Sequence, residues 1–271
     1  MQLPQCNDLL ASLPAEDYQR LAPHLELVSL SAGQMVLQHD QRVTQVLFPT
    51  TAVVAISLNL ADGNSVDTAM IGRDGVVGVV ASMRQQALHA AQVRCGGFAY
   101  RLRADIMRAE FLSGQGLMRA SMETTRFLLV QMGQISACNR YHAIDQRLAR
   151  WVLTFQHYAR SDSIAVTHEE MAQMLGVRRE AITLVTGRFA QAGLMRFERG
   201  HLHVLDREGL LKTSCECYES LLKQAPFGKA SHMPASQPGT VKARAQPQAP
   251  GGLAAYAMPI SKALSVMATS A

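Results

Sequence analysis

Residues 167–192 limit what this chain can fold into more than any other stretch. Thr167 and Glu170 stand three apart, the spacing of a capping box in which the threonine hydroxyl takes an orphan amide and the glutamate reaches back to the cap. A helix therefore starts there, with Met171, Ala172, Met174 and Leu175 on its apolar face. Gly176 ends it with a residue that tolerates positive φ. Only Val177 and Arg178 intervene before a second helix from Arg179 to about Ala192, with Ile182, Val185 and Phe189 at helical spacing. Helix, tight turn and helix make a helix-turn-helix. Gly193 closes the second helix, and residues 194–196 and 202–205 can then pair as a hairpin, a wing, around Glu198-Arg199-Gly200-His201.

The polar residues on this frame point to double-stranded DNA as the partner. Arg178, Arg179 and Glu180 occupy the start of the second helix, where an arginine can fork onto guanine N7 and O6 and a glutamate can accept from cytosine N4. Thr183 and Arg188 follow on that helix, and Arg196, Arg199 and His201 lie on the wing. Wing arginines suit phosphates, which add affinity and salt dependence but little sequence information. His201 and His203 share one strand face, a metal-ligand spacing as well as a phosphate-contacting one. Phosphate or solvent is the simpler expectation for exposed wing histidines, and no metal is assigned.

Net charge alone would not carry that reading. The chain is +5 with a pI near 9.1, but Lys229, Lys242, Arg244 and Lys262 sit in a tail without acidic residues. Removing those four from 26 basic residues leaves 22 against 21 acidic ones before residue 225. Placement of the arginines, rather than their number, points to nucleic acid.

Upstream the pattern changes. Between Leu25 and Arg103 short β-type runs at 34–38, 46–48, 52–60, 65–71, 89–95 and 98–102 are broken by glycines, with Asp62-Gly63 as a hairpin signal. Many short strands at close spacing predict an antiparallel roll. A long helix follows, most continuous over 117–142, in which Leu117, Ser121, Thr124, Leu128, Gln131, Ile135, Cys138 and His142 recur at steps of three or four. That seam suits either a dimer contact or a helix lying on its own domain. Residues 145–158 predict another helix with Leu148, Trp151, Val152 and Phe155 on one face and Arg147 and Arg150 on the other. The tail, 225–271, is rich in Pro, Ala, Gly, Ser and Gln and is expected to be disordered, with at most a marginal helix at 260–267.

Other classes find little support. No apolar run reaches the eighteen or so residues of a membrane span, and residues 1–13 lack a secretory pattern, so no membrane and a cytoplasmic location are expected. Five scattered cysteines are a poor disulfide framework, and Cys215-Glu216-Cys217 alone supplies two of the four ligands of a structural zinc. No spacing specifies a nucleophile, base and orienting group, so an enzyme is not expected.

Over roughly residues 9–222 the chain resembles the Crp/Fnr superfamily of bacterial transcription regulators, most strongly in THEEMAQMLGVRREAITLVTGRFAQAGL and the following RGHLHVLD. The resemblance implies an α+β protein: an N-terminal cyclic-nucleotide-binding-like β-roll of antiparallel, jelly-roll-like strands (1–110), a long dimerisation helix (111–142), a C-terminal winged helix-turn-helix (143–224) and the tail (225–271). It implies a homodimer, with Leu117, Thr124, Leu128, Gln131, Ile135 and Cys138 at the contact, a palindromic operator, and RNA polymerase as a further partner. In family members the Arg-Glu opening the recognition helix reads bases, which here is Arg179-Glu180. Leu184 stands where a further arginine is common, and Arg178 where serine or threonine is usual, so the half-site is expected to differ from the familiar one. Family members that bind cyclic nucleotides use a Gly-Glu on the ribose and an arginine with a small hydroxyl residue on the phosphate. This chain has Gly75-Val76-Val77-Gly78 and Leu88-His89-Ala90 instead. Cyclic AMP and cyclic GMP are therefore not expected as tight ligands, no cofactor is assigned, and Gly75, Gly78, Arg84 and His89 are the candidate pocket residues for an unidentified small-molecule effector. The alternative to a DNA-binding regulator is a cyclic-nucleotide-binding-like adaptor that controls a protein partner without binding DNA.

Overall fold

The short apolar runs near the N-terminus pair into two antiparallel sheets. The computed structural model describes residues 3–61, 63–83, 86–113 and 115–227. The expected disorder beyond residue 227, and the helix at 260–267, lie outside the described residues. Two short helices, α1 (Asp8–Ala11) and α2 (Ala15–Leu21), precede β1 (Glu26–Leu30), β2 (Met35–Leu37), β3 (Gln45–Pro49), β4 (Val53–Asn59), β5 (Ser65–Ile71), β6 (Ala90–Cys95) and β7 (Gly97–Arg103). The sheets run β1-β7-β3 and β2-β6-β4-β5. Between them Leu47, Val54, Ile56, Ala69, Ile71 and Val93 form an aliphatic interior. Strand β4 is buried on both faces along most of its length, because its outer residue Val53 joins the core of the C-terminal half. Strand β1 was not among the expected runs. Only its last residue, Leu30, is fully buried, so it carries almost no alternation for a sequence reading to find.

Helices α3 (Ala104–Ser113) and α4 (Gln115–Tyr141) lead away from the roll. Asp17 on α2 accepts the Gly116 amide at 2.9 Å and so holds the first turn of α4 to the N-terminal helices. One face of α4 packs on its own chain, and it is the face expected to make the dimer. Leu117, Thr124, Gln131, Ile135 and Cys138 are all buried within the single chain, and Leu128 is half-buried against the same cores. Gln131 shows why: its amide oxygen accepts from the Met70 N–H and its nitrogen donates to the Met70 carbonyl, each at 3.0 Å, completing the free edge of β5. A neighbouring face carries the exposed residues Met118, Met122 and Leu129, the last with 67% of its surface open.

The C-terminal half is α5 (Ile144–Ala159), β8 (Ser163–Ala165), α6 (His168–Leu175), α7 (Arg179–Gln191), β9 (Met195–Glu198), β10 (His201–Val204), α8 (Arg207–Thr213) and α9 (Cys217–Gln224). Leu148, Trp151, Val152 and Phe155 of α5 are buried as expected, but Arg147 and Arg150 are buried too. Helix α5 lies between the outer face of the β4–β5 sheet and the helices that follow, so it has no solvent side for them. Arg147 donates to the Leu175 carbonyl at the end of α6, which anchors the helix-turn-helix on α5. Strand β8, also missed by the sequence reading, joins the wing in a three-stranded sheet ordered β8-β10-β9. A further link to the roll runs through Tyr158, whose hydroxyl donates to buried Asp74 at 2.9 Å.

Candidate nucleic-acid interface

The helix-turn-helix forms where its caps say it should. Thr167 Oγ1 accepts the Glu170 amide at 3.1 Å while the Thr167 amide donates to Glu170 Oε2 at 2.7 Å, a complete capping box. Gly176 closes α6 at φ +60, and the Val177 amide then bonds the Ala172 carbonyl at 2.9 Å. These bonds turn the chain within three residues and start α7 at Arg179. Arg178 is the N-cap and makes no side-chain cap bond, as its place in the usual Ser/Thr position implies.

Burial divides α7 cleanly. Ile182, Val185, Thr186 and Phe189 face the core, whereas Arg179, Glu180, Thr183, Leu184, Gly187 and Arg188 are exposed. Leu184 leaves 66% of its surface open in the middle of the outward face. Two of the expected contact residues are engaged within the chain. Thr183 Oγ1 lies 3.2 Å from His168 Nδ1, and Arg188 pairs with Asp145 of α5. That exposed ion pair partly offsets the Arg188 charge and links α7 to α5.

His168 is a residue the sequence reading passed over. As the first residue of α6 it reaches Thr183 with one ring nitrogen and Thr186 Oγ1 with the other at 3.3 Å, and its ring packs on Phe197 of β9 with centroids 4.5 Å apart. It therefore fixes α6, α7 and the wing to one another. Burial, with the Arg179 charge second, pulls its pKa below the usual histidine value, which favours the neutral ring. The capping-box pattern marks His168 as a helix start but carries no signal for contacts fifteen and more residues away.

The wing is a two-residue hairpin. Arg199 and Gly200 both have positive φ, +49 and +78, and His201 pairs with Glu198 across the turn. This backbone suits Asn-Gly, and an arginine held in the left-handed region costs on the order of 1 kcal/mol. His201 is exposed, contacts the Arg199 carbonyl through Nδ1 at 3.3 Å, and stacks on His203 at 6.2 Å. Arg179, Glu180 and Leu184 on α7 thus present an outward row beside a turn that holds Arg199 out.

The expected effector residues are less open. A Cβ on Gly75 would meet Ile71 at 3.0 Å and Thr124 at 3.7 Å, and one on Gly78 would meet Val43 at 3.2 Å. Gly75 serves packing, and Gly78 the left-handed backbone it adopts at φ +85. His89 is half-buried with its pKa lowered by burial, and Arg84 lies outside the described residues.

Comparison with known proteins agrees with this architecture. Residues 146–213 match the model of the Crp-like helix-turn-helix domain. No curated protein sequence matches the chain. Among solved structures, a crp/fnr-family transcriptional regulator from Eubacterium rectale aligns with a TM-score of 0.61 at 16% identity, covering 77% of this chain and 98% of its own. FixK2 from Bradyrhizobium japonicum aligns with a TM-score of 0.60 at 14% identity, covering 70% and 98%. A CRP/FNR-family regulator from Thermus thermophilus gives 0.57 at 20% identity, covering 72% and 98%. At such identities the structures establish a shared fold, and the domain match establishes the helix-turn-helix. Residues 146–213 are thus a Crp-like helix-turn-helix domain, and the chain shares the fold of the Crp/Fnr-family structures it aligns with.

Proposed function

We propose that the chain binds a twofold-symmetric operator as a homodimer, with α7 of each protomer in the major groove and the wing on the flanking backbone. The observation that carries this reading is the division of α7, whose inward face is wholly buried while Arg179, Glu180 and Leu184 stand out together. Arg179 suits guanine, Glu180 suits cytosine N4, and the exposed Leu184 suits a thymine methyl where relatives commonly place an arginine. Arg178, His201 and Arg199 are assigned to phosphates. The strained backbone of Arg199 supports that role, since glycine or asparagine would hold the turn at lower cost.

The second copy docks on the exposed face of α4. Exposed Met118, Met122, Leu129 and Ser136, with half-buried Thr125 and Met132, recur at alternating steps of four and three, the period of a coiled-coil seam. In this reading that face replaces the buried one as the dimer contact, and the operator half-sites stand about one DNA turn apart. The β-roll takes no cyclic nucleotide in this reading, because the ribose and phosphate ligands are absent from its sequence and Gly75 and Gly78 are packed against side chains. The protein works in the cytoplasm as a regulator, not an enzyme, and RNA polymerase is the partner through which promoter output changes.

Competition binding separates the two kinds of contact. Arg179→Ala should cost about 1 to 3 kcal/mol at one base pair per half-site and relax the preference there. Arg199→Ala should weaken all sequences alike and flatten the salt dependence. Identical specificity profiles for the two variants would refute the assignment. Salt-insensitive binding, or none, would favour an adaptor that acts on a protein partner.

A further inference from the structure

We propose that Cys138, His142, Cys215 and Cys217 form a tetrahedral site for one metal ion of the zinc class. Cys138 lies on the last turns of α4, and His142 follows directly after that helix, its amide donating to the Cys138 carbonyl at 3.0 Å. Cys215 precedes α9 and Cys217 is its first residue. The three cysteines are buried and cluster with one another apart from the larger cores.

The geometry is that of ligands around a centre. All four donor atoms lie within 4.8 Å of one another. Cys138 Sγ is 3.6 Å from Cys215 Sγ, and Cys217 Sγ is 3.5 Å from His142 Nδ1. Ligands bound at about 2.0 to 2.3 Å in a tetrahedron stand about 3.3 to 3.8 Å apart along its edges. A disulfide needs its sulfurs about 2.05 Å apart and would leave the third cysteine and the histidine without a role.

The surroundings also fit a bound ion. His142 Nε2, the nitrogen turned away from the cysteines, is 3.3 Å from Glu216 Oε1, the carboxylate–histidine pairing that orients a ligand imidazole. Gln134 Nε2 donates to Cys217 Sγ at 3.0 Å. Three thiolates and a dication leave one surplus negative charge, and the buried Arg150 guanidinium stands beside Cys138 to offset it. Soft sulfur ligands with one imidazole in a tetrahedron favour zinc over magnesium or calcium. With four protein ligands the site is closed, so its role is structural: it ties α4 to the segment that follows the wing. The inference does not depend on the DNA reading.

The test uses the full chain purified under reducing conditions, with metal content read by plasma mass spectrometry. One zinc per chain is expected, kept in Cys95→Ser and reduced about tenfold or more in Cys138→Ser and Cys217→Ser. Cobalt titration of the chelator-stripped chain should give thiolate charge-transfer and tetrahedral ligand-field absorption that saturate at one equivalent. Glu216→Gln, which leaves all four ligands and the fold in place, should weaken metal affinity about 10- to 100-fold. No tetrahedral cobalt spectrum, an iron–sulfur cluster, or a Cys138–Cys215 disulfide in place of the ion would each overturn the proposal.

Discussion

Replacing Asp74 with asparagine tests how the roll and the winged helix are joined. Asp74 is buried beneath Tyr158, and its carboxyl is pushed up from 3.8 to about 6. Burial causes the rise, while the Tyr158 hydroxyl and two backbone amides pull the other way and nearby Asp8 adds a smaller upward push. Between about pH 4 and 6 the folded chain therefore holds a proton that the unfolded chain has released. The stabilisation from that proton is complete below the unfolded value and is lost as the pH rises through about 6. A rise of this size corresponds to about 3 kcal/mol between the two ends of the window. Asparagine imitates the protonated acid, so the variant should be more stable than wild type by about 2 to 3 kcal/mol at pH 7.5 and nearly equal to it at pH 4. Urea unfolding of both proteins at several pH values and one fixed protein concentration measures the difference, and the subtraction cancels the other carboxylates. A difference that stays constant across that range would refute the account of Asp74.

Three further substitutions probe other links. Arg199→Asn should stabilise the fold by up to about 1 kcal/mol in thermal unfolding, because asparagine tolerates the left-handed backbone, yet weaken binding to every DNA sequence and lower the salt slope by about one per protomer. Leu129→Arg should remove about 2 kcal/mol per copy from self-association and add charge repulsion across the twofold axis. Light scattering would then show monomers at concentrations where wild type is dimeric, with the monomer fold unchanged. Thr167→Ala should cost about 1 kcal/mol of stability through the lost cap of α6, read by chemical unfolding.

Much of the fold was legible because local signals and tertiary structure agree. The capping box at Thr167, the glycine after Leu175 and the Arg199-Gly200 turn each specify their backbone within a few residues, and each is found where it was expected. The α4 seam shows where such reading ends. Periodicity identified one face correctly, but not whether the face meets its own chain or another. Polar Ser121, Thr124 and Gln131 were the clue, since Gln131 completes the edge of β5 rather than a coiled coil. The pattern puts Arg147 and Arg150 on the face away from the apolar one, and the packing of α5 between two layers buries that face as well. The cysteine cluster was out of reach, because Cys138 and Cys215 are 77 residues apart and no local pattern joins them.

The central claim is that paired α7 helices read DNA, and selection of binding sites from a random duplex pool by the full chain tests it most directly. The account predicts enrichment of a twofold-symmetric site with half-sites about one turn apart, and loss of one conserved base pair per half-site with Arg179→Ala. Enrichment of no symmetric sequence, or an unchanged site with the variant, would contradict it.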